Sequence, residues 1–306
     1  MTEQVLQDAL EYARPYLESG KVATYIPELG KANPAHLGVS VMTEEGQCFS
    51  AGDWAQEFTM QSIAKTITLI LALQMVGRDE VFRRVGVEPT GDAFNSMVKL
   101  VESETFVPSN PMINAGAIST ASCCLRPGMD PYTEFLKLVR KLCGRDTIEI
   151  DYAVYRSEKE TGTRNRAMAH FLEGAGVLLG NAEETVDFYF KTCSTSVNTK
   201  DLAHYAMVLA NHGKHPLTGE VLIDAWTVPI VKTIMFTCGM YDAAGEFAMK
   251  VGMPAKGGVG GGIIASADNR MGIATFGPAL DPKYNSVGGG KVLEYLSKTL
   301  GLHLFA

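Results

Sequence analysis

A serine and a lysine lie three residues apart at the start of a long apolar run, as Ser62 and Lys65. Residues with this spacing share one face of a helix, so the hydroxyl and the amine can meet over the first turn. A serine becomes a nucleophile when a neighbouring base accepts its proton, and burial lowers a lysine pKa toward the range that a base requires. The alternative is structural, with Ser62 as a helix cap and Lys65 as an exposed first-turn residue.

A glycine-rich segment near the C-terminus is the second candidate for chemistry. It begins with Lys256 and surrounds Val259 with glycines, in the run Lys256-Gly257-Gly258-Val259-Gly260-Gly261-Gly262. Glycines let a ligand approach backbone N–H groups, which suits an oxyanion hole or an anion site. Glycine within a strand also marks a bulge or close backbone packing, so the segment alone leaves both interpretations open.

Strand-like alternation near both ends of the chain predicts the elements that position these segments. Residues 37–41 and 47–51 alternate around a polar turn, which predicts a β-hairpin. Three more strands are predicted near the C-terminus, with a turn at 268–270 and a closing helix at 291–300. Those strands are 246–250, 261–266 and 271–276.

Helical periodicity dominates the rest of the sequence. It predicts an opening helix at 4–18 and a buried helix that starts at or near Ser62 and ends at Gly77. Further helices are predicted at 112–124, 132–142, 164–179, 182–192 and 200–211. Strands near both ends with helices between them imply an α+β fold, in which the N- and C-terminal segments form one antiparallel sheet flanked by helices.

We expect a single domain over residues 1–306, with a mainly α-helical subdomain inserted into the sheet subdomain. The sheet subdomain covers approximately 1–61 and 236–306, and the helical subdomain covers approximately 62–235. Domain boundaries are soft, because no low-complexity tract or Pro/Gly-rich linker divides the chain.

Composition argues against several classes of function. The 306 residues are 46% hydrophobic and 20% charged, with a formal net charge of −7. Nucleic-acid binding relies on clustered Lys and Arg, and the sequence has no basic run. The first residues include acidic ones, unlike a secretory signal, and the longest apolar run, 67–75, is too short to cross a bilayer. We therefore expect a cytoplasmic protein that binds neither nucleic acid nor membrane.

The cysteines and histidines show no metal-binding pattern, so we expect no metal and no organic cofactor. The six cysteines lack Cys-x-x-Cys pairs and are predicted to be free buried thiols. Cys193 precedes a polar run and is a weaker candidate nucleophile, since no sequence neighbour would lower its pKa. These residues are Cys48, Cys123, Cys124, Cys143, Cys193 and Cys238, with His170, His204, His212 and His215 scattered among them.

The order of the two chemical segments resembles that of penicillin-binding proteins and class A β-lactamases. Those enzymes carry Ser-x-x-Lys on a helix after an N-terminal hairpin and Lys-Thr-Gly or a similar triplet on a C-terminal strand. Gly257 stands where those families have Ser or Thr, which departs from their pattern. A penicillin-recognising hydrolase or peptidase is therefore a second hypothesis, and the lack of a secretory signal argues against it.

Segments along nearly the whole chain resemble the serine-dependent glutaminases of bacteria and mitochondria. The matching segments are 20–29, 85–91, 94–95, 110–118, 157–158 with Asn165, 187–190, 239–242 and 254–262. They occur in order, which makes chance matching implausible. The family shares the β-lactamase-like fold, so the resemblance implies the same architecture that the periodicity predicts.

The resemblance implies that Ser62 attacks the side-chain amide of L-glutamine while Lys65 accepts its proton. Ammonia leaves, a γ-glutamyl ester forms on Ser62, and water releases L-glutamate. In this scheme the backbone N–H groups of Ser62 and Val259 form the oxyanion hole. Tyr189 and Tyr241 line the reaction centre in the family, where either can relay a proton.

The amino-acid part of glutamine needs its own partners, because buried unpaired charge is costly. The resemblance implies that Glu158 binds the ammonium and that Asn114 and Asn165 bind the carboxylate, with Tyr25 nearby. From the residues alone, each has a structural alternative: Asn114 as a helix cap, Glu158 as a solvated loop charge, and Tyr241 as a half-buried aromatic.

Two further roles are implied but stay open. Lys256 either supplies positive potential that keeps Lys65 neutral or binds an anion. The family commonly forms dimers or tetramers, so the resemblance implies a homodimer or homotetramer that binds L-glutamine.

A third hypothesis is a ligand-binding or scaffold protein that kept the fold and lost catalysis. The presence of Ser62, Lys65, Tyr189 and Tyr241 argues against it.

Overall fold

The computed structural model describes residues 2–102 and 104–306, and its main sheet has five antiparallel strands. The strands in chain order are β1 (Gly38–Thr43), β2 (Cys48–Gly52), β3 (Phe58–Thr59), β4 (Ser196–Val197), β5 (Ala255–Gly257), β6 (Gly262–Ala267) and β7 (Met271–Phe276). The main sheet has the order β2-β1-β7-β6-β5, while β3 and β4 pair separately. The N-terminal hairpin therefore joins the C-terminal strands through β1 and β7, as predicted.

The chain between β3 and β5 is mainly helical. The described residues form the α-helices α1 (Glu3–Ala13), α2 (Ala64–Val76), α3 (Arg78–Arg84), α4 (Val98–Glu102), α5 (Asn114–Ser122), α6 (Pro131–Cys143), α7 (Tyr152–Thr161), α8 (Thr163–Gly174), α9 (Ala182–Cys193), α10 (Thr199–Ala210), α11 (Thr227–Cys238), α12 (Ala244–Lys250) and α13 (Val287–Leu300). Within 2–102 and 104–306, none of them has the length and apolar character needed to span a membrane. The α+β class is confirmed, and the proposed subdomain boundaries stay a prediction.

Both faces of the main sheet are covered, so its inner strands are buried throughout. On one face Val39, Ile263 and Ile273 belong to the apolar cluster that includes α1 and α13. On the other face Ile264 and Ala274 belong to the cluster that includes α2, α6 and α10. The alternation follows from the two-residue period of a strand, which turns successive side chains to opposite faces.

Helix α2 runs through the larger apolar cluster, and all its residues from Ala64 to Leu73 are buried. It ends at Val76, and the next residue, Gly77, has a φ of 79° in the left-handed region that glycine adopts without strain. A helix that is apolar on every side must be surrounded by protein. Its N-terminal turn is consequently buried as well, which places the Ser62 and Lys65 side chains inside the molecule.

Gly272 on β7 lets α10 pack directly on the sheet. A Cβ at this position would lie 2.0 Å from Met207 N and 2.4 Å from Ala203 O, so α10 would have to move. We expect Gly272→Ala to lower the free energy of unfolding by about 1–3 kcal/mol. Urea unfolding followed by circular dichroism measures this change.

Gly290→Ala is the matched control for that prediction. Gly290 lies in α13, and a Cβ there would meet nothing within 4 Å. Alanine in a helix is more favourable than glycine by roughly 0.5–1 kcal/mol, so this variant should be at least as stable as the parent protein. Equal stability of the two variants would contradict the close packing at Gly272.

Several predicted elements differ from the structure. Residues 246–250, predicted as a strand, belong to helix α12, because Glu, Ala, Met and Lys favour a helix and the short alternation was not decisive. The opening helix ends at Ala13 and continues as the 3₁₀ helix Arg14–Ser19, which contains Pro15. The predicted 164–179 helix ends at Gly174, and the closing helix begins earlier, at Val287. Helices α3, α4, α7 and α11 and strand β5 were not predicted.

Candidate active site

Ser62 lies in the short 3₁₀ turn Gln61–Ile63, which leads directly into α2. Gln61 has a φ of 48°, a conformation that a non-glycine residue keeps only when the surrounding structure imposes it. The N-cap of α2 is Ile63, so the interpretation of Ser62 as that cap is wrong. Ser62 is buried at the mouth of the central helix.

Lys65 is only 2% exposed, so the interpretation as an exposed first-turn residue is wrong. Its Nζ donates to Met112 O at 3.1 Å and to Asn114 Oδ1 at 2.7 Å. Burial lowers the pKa of Lys65 to about 8, while Cys193 and Glu158 oppose that shift. A neutral lysine amine has two N–H groups and one lone pair, so two acceptors can engage both N–H groups and leave the lone pair to accept a proton.

Asn114, the first residue of α5, connects three side chains of the site. Its Oδ1 accepts from Lys65 Nζ at 2.7 Å and from Tyr189 Oη at 3.3 Å, and its Nδ2 donates to Asn165 Oδ1 at 3.0 Å. The N-cap of α5 is Ile113, so the interpretation of Asn114 as a helix cap is wrong. Burial raises the pKa of Tyr189 well above its usual value, and its phenol is therefore a proton donor at neutral pH.

Glu158 lies on α7, a helix whose N-terminus is capped by the Asp151 side chain. The residue is 4% exposed, and its Oε1 is buried without a hydrogen-bond partner among the described residues. Burial raises the pKa of Glu158 to about 7, while the neighbouring Gln61 amide and Lys65 oppose that shift. The interpretation as a solvated loop charge is wrong. A buried carboxylate of this kind is costly unless a cation or further donors join it.

The loop between β5 and β6 packs against the main chain around Ser62. A Cβ on Gly258 would lie 2.6 Å from Met60 O and 3.3 Å from Ser62 N, and a Cβ on Gly260 would lie 2.6 Å from Thr59 O. This approach requires glycine at both positions, because any side chain would push the loop away. Val259, between the two glycines, is consequently fixed beside the turn that carries Ser62.

Tyr241 adopts a φ of 56° at the start of a 3₁₀ turn, Tyr241–Ala243. Its Oη donates to Gly257 O at 3.3 Å. Burial raises the pKa of the Tyr241 phenol, and the neighbouring Ser62 side chain opposes that rise. The residue is buried, so the interpretation as a half-buried aromatic is wrong.

Lys256 lies in β5 with its amine against the Tyr241 ring, 4.1 Å from the ring centroid. The amine also donates to the Gly257 carbonyl oxygen, and the side chain is fully buried. Burial lowers the pKa of Lys256 well below its usual value, and the charge of Lys65 lowers it further. Its effect on the protonation of Lys65 stays a prediction.

A row of aromatic rings connects the buried centre with the surface. Tyr25 is 45% exposed, and its ring lies edge-on to that of Tyr284 at 5.8 Å. The Tyr284 ring is 5.5 Å from Phe94, and the Phe94 ring is 4.6 Å from Tyr241. Tyr25 therefore lies at the rim of the site rather than at its centre.

Gln61 and Phe94 are site residues that the sequence did not single out for a role. Gln61 adjoins Ser62 and lies beside the Glu158 carboxylate, and Phe94 lies 5.9 Å from Lys65 Nζ, measured to the ring centroid. The position of Gln61 next to a candidate nucleophile was the available clue. An isolated aromatic such as Phe94 gives no comparable clue, because most buried aromatics belong to the core.

Cys193 on α9 lies near Lys65 and Glu158, but burial raises the pKa of its thiol. A protonated thiol is a poor nucleophile, which argues against the Cys193 alternative. The six cysteines are free; five are buried and Cys48 is partly exposed. Across residues 2–102 and 104–306, no group of three or more His, Cys, Asp or Glu side chains is arranged to hold a metal ion.

The structure brings the predicted site residues together from distant parts of the chain. They are Ser62, Lys65, Asn114, Glu158, Asn165, Tyr189, Tyr241 and Val259, with Tyr25 at the rim. A buried serine and lysine at the mouth of a central helix lie next to a Lys-Gly-Gly edge strand of an antiparallel sheet. This arrangement defines the class of serine hydrolases with a β-lactamase-like fold.

Sequence comparison identifies the family within that class. The family model described as Glutaminase matches residues 20–305. "Glutaminase 2" of Clostridium perfringens (strain 13 / Type A) is 50% identical over 301 residues, which cover 98% of this chain and 99% of the relative. The chain belongs to the glutaminase family.

Solved structures of glutaminases have the same fold. The probable glutaminase ybaS is 37% identical with a TM-score of 0.93, and the match covers 100% of this chain and 99% of that one. The Bacillus subtilis glutaminase YbgJ, in covalent complex with 5-oxo-L-norleucine formed from 6-diazo-5-oxo-L-norleucine, is 39% identical with a TM-score of 0.89, and the match covers 98% of each chain. The predicted β-lactamase-like fold is confirmed.

Proposed function

We propose that this chain hydrolyses the side-chain amide of L-glutamine to L-glutamate and ammonia. The observation that carries the proposal is Glu158, a buried carboxylate close to Gln61 and Lys65, whose Oε1 has no hydrogen-bond partner among the described residues. Such a group favours a cationic ligand, and the α-ammonium of an amino acid supplies the required charge. Penicillins lack an ammonium common to all of them, so the same feature argues against the penicillin-recognising alternative.

Acylation begins when the neutral amine of Lys65 removes the proton from Ser62 Oγ. The oxygen bonds to the amide carbon of glutamine, and the carbonyl oxygen becomes an oxyanion that the Ser62 and Val259 N–H groups stabilise. The carbon–nitrogen bond then breaks as the proton on Lys65 passes to the leaving nitrogen, directly or through the Tyr241 hydroxyl. Ammonia departs and the γ-glutamyl group remains as an ester on Ser62.

Deacylation repeats the same steps with water. Lys65 accepts a proton from the water molecule while the water oxygen bonds to the ester carbon. The bond from that carbon to Ser62 Oγ breaks, the oxygen regains its proton from Lys65, and L-glutamate leaves. The protonated phenols of Tyr189 and Tyr241 line this centre, and either can relay the proton.

The amino-acid end of the substrate binds beside Lys65, where Asn114 and Glu158 lie. Glu158 pairs with the ammonium, and the Asn114 and Asn165 amides donate to the carboxylate. The Asn114 Nδ2 uses one of its two N–H groups on Asn165 Oδ1, which leaves the other for the substrate. Tyr25 closes the rim. Asparagine is one methylene shorter, so its amide cannot reach Ser62 while these contacts are made.

The proposal is tested by ammonia release from L-glutamine, with L-asparagine and a penicillin as alternative substrates. We expect turnover of glutamine, little turnover of asparagine, and no covalent labelling by a fluorescent penicillin. Labelling by penicillin without glutamine turnover would favour the penicillin-recognising hypothesis. Tight glutamine binding without turnover would favour the non-catalytic one.

Glu158→Gln tests the ammonium site directly. The substitution keeps the shape of the side chain but removes its charge, so the substrate ammonium loses its counter-charge in a buried position. Losing one partner of such a buried pair costs about 2–5 kcal/mol. We expect kcat/KM for glutamine to fall at least about 30-fold, chiefly through KM. Steady-state kinetics measure the change.

Glu160→Gln is the matched control, because Glu160 lies on the same helix and is exposed. Its kinetics should equal those of the parent protein. If Glu158→Gln also left KM unchanged, Glu158 would not be the ammonium partner.

We further propose a cytoplasmic homodimer or homotetramer, supported by membership of the glutaminase family. Size-exclusion chromatography with light scattering should give two or four times the chain mass of 33.0 kDa. A mass of one chain at micromolar concentration would contradict the proposed assembly.

A further inference from the structure

The backbone at Tyr241 needs external support. Its φ of 56° is unusual for a tyrosine, and such a conformation persists only when neighbouring groups impose it. The residue before it, Met240, is the start of the turn: Met240 O accepts from Ala243 N at 3.0 Å. At its other end the side chain reaches β5, where Oη donates to Gly257 O at 3.3 Å. Two hydrogen bonds therefore fix Tyr241 at two main-chain points. One, to the Met240 carbonyl, closes the turn around Tyr241, and the other joins its Oη to the Gly257 carbonyl.

Asn285 lies close to both of those points, bonded to the Met240 carbonyl and next to the position that a Gly257 side chain would occupy. Its Nδ2 donates to Met240 O at 3.4 Å. Its Oδ1 is buried without a hydrogen-bond partner in the described chain, and it lies 3.0 Å from where a Cβ on Gly257 would be. Asn285 is 5% exposed. A buried polar group with an unpaired oxygen is costly, so its presence at this position calls for a role.

The segment that carries Asn285 is itself firmly tied. Asn285 N donates to Asp281 Oδ1 at 2.9 Å, and Asp281 N donates to Asn285 O at 2.8 Å. A second link reaches the Tyr241 turn, because Lys283 Nζ donates to Asp242 O at 3.2 Å. The segment 281–285 and the turn after Met240 are therefore coupled by two hydrogen bonds from side chains to main chain.

We propose that Asn285 is a positioning residue for Tyr241. The Asn285 amide fixes the orientation of the Met240 peptide and lies against the Gly257 backbone. Together these two interactions hold the Tyr241 hydroxyl next to Ser62. Asn285 does not itself contact Ser62, Lys65 or Glu158, so it acts through Tyr241 rather than on substrate. The inference rests on the proposed function, in which the Tyr241 hydroxyl serves the reaction at Ser62.

Asn285→Ala removes the amide and should leave the Tyr241 turn free to relax. We expect kcat for glutamine to fall roughly 10- to 100-fold, because small displacements of a reacting group reduce rates by such factors. KM should change less than about 2-fold, because the ammonium and carboxylate partners of glutamine are untouched. Asn285→Asp keeps the size and exchanges the donor for an acceptor, so it should act in the same direction and serves if the alanine variant does not fold.

Ser297→Ala is the matched control for lost stability. Ser297 is buried on α13 and donates to Val251 O at 2.6 Å, without contact to the Tyr241 turn. The variant should lose stability like Asn285→Ala but keep the parent kcat. If both variants lowered kcat equally, Asn285 would have only a general structural role.

Coupling between Asn285 and Tyr241 provides the deciding measurement. In a Tyr241→Phe background the hydroxyl is gone, so adding Asn285→Ala should lower kcat less than about 2-fold further. A full additional loss would overturn the inference while leaving glutamine hydrolysis established by the parent protein.

A crystal structure of Asn285→Ala gives a readout independent of turnover. Tyr241 Oη should leave Gly257 O, and an unchanged position would also overturn the inference.

Discussion

Ser62→Ala should abolish glutamine turnover, with kcat lowered by at least about 10⁴-fold. The alanine has no atom that can form the γ-glutamyl ester, and water alone would have to attack the amide without covalent catalysis. Ser62 is fixed between the Gln61 turn and the Gly258 loop, so the substitution should not disturb the backbone. Ammonia release measured at high enzyme concentration gives the residual rate.

Covalent labelling separates the role of Ser62 from the activity of the site. The parent protein treated with 6-diazo-5-oxo-L-norleucine should gain the mass of one 5-oxo-norleucine adduct, and Ser62→Ala should gain none. Ser266→Ala is the control, because Ser266 is buried in β6 and its hydroxyl has no described partner to lose. Turnover that survives in Ser62→Ala would leave an amidase but remove Ser62 from its mechanism.

Lys65→Met should lower kcat by about 10²- to 10⁴-fold, the range expected for loss of a general base. Methionine is unbranched and apolar, so it suits the buried position that Lys65 occupies. Lys200→Met is the control, because Lys200 is an exposed residue in the first turn of α10, and it should keep the parent rate. Parent-like kcat in Lys65→Met would assign the base to another group.

The pH profile tests the same assignment. Lys65 acts as a base only when neutral, and burial lowers its pKa to about 8, so kcat/KM should rise with pH through that value. Glu158 binds an ammonium only when ionised, and burial raises its pKa to about 7, which adds a second rise at lower pH. In Glu158→Gln the rise in kcat/KM near pH 7 should disappear. The rise that reports Lys65 should remain but move to lower pH, because the Glu158 charge no longer raises the Lys65 pKa. Activity that falls as pH rises from 7 to 8 would contradict both roles.

Local patterns predicted much of the fold. The alternation at 37–51 and 261–276 corresponds to β1, β2, β6 and β7, because a strand with period two shows its period within a few residues. The apolar run after Ser62 predicted the buried helix α2, because a helix that is apolar on every side must be surrounded by protein. The strand prediction for residues 246–250 was wrong, because an alternation over five residues is too short to distinguish a strand from a helix. Helix α7 was missed because its apolar face is weak, with only Val154 and Glu158 buried.

The site was predictable in its residue types but not in its environment. Family resemblance named Glu158, whereas its sequence neighbours favoured a solvated charge. In the folded chain Glu158 is buried, and its neighbours Gln61 and Lys65 belong to a distant part of the chain. The left-handed backbone of Gln61 and Tyr241 had no sequence indication, since neither is a glycine.

The amino-acid sequence alone specifies the chemical groups and their local order: a serine and lysine one helical turn apart, a lysine followed by glycines, and two asparagines with a glutamate. These features are local, so residue type and spacing suffice to read them. Which of these groups lie in contact, and which are buried away from water, depends on the fold of the whole chain. The pairing of β1 with β7, the burial of Lys65 and Glu158, and the position of Asn285 behind Gly257 each depend on segments far apart in the chain. Burial sets the pKa values of these side chains, so the reactivity of the site is a property of the folded chain.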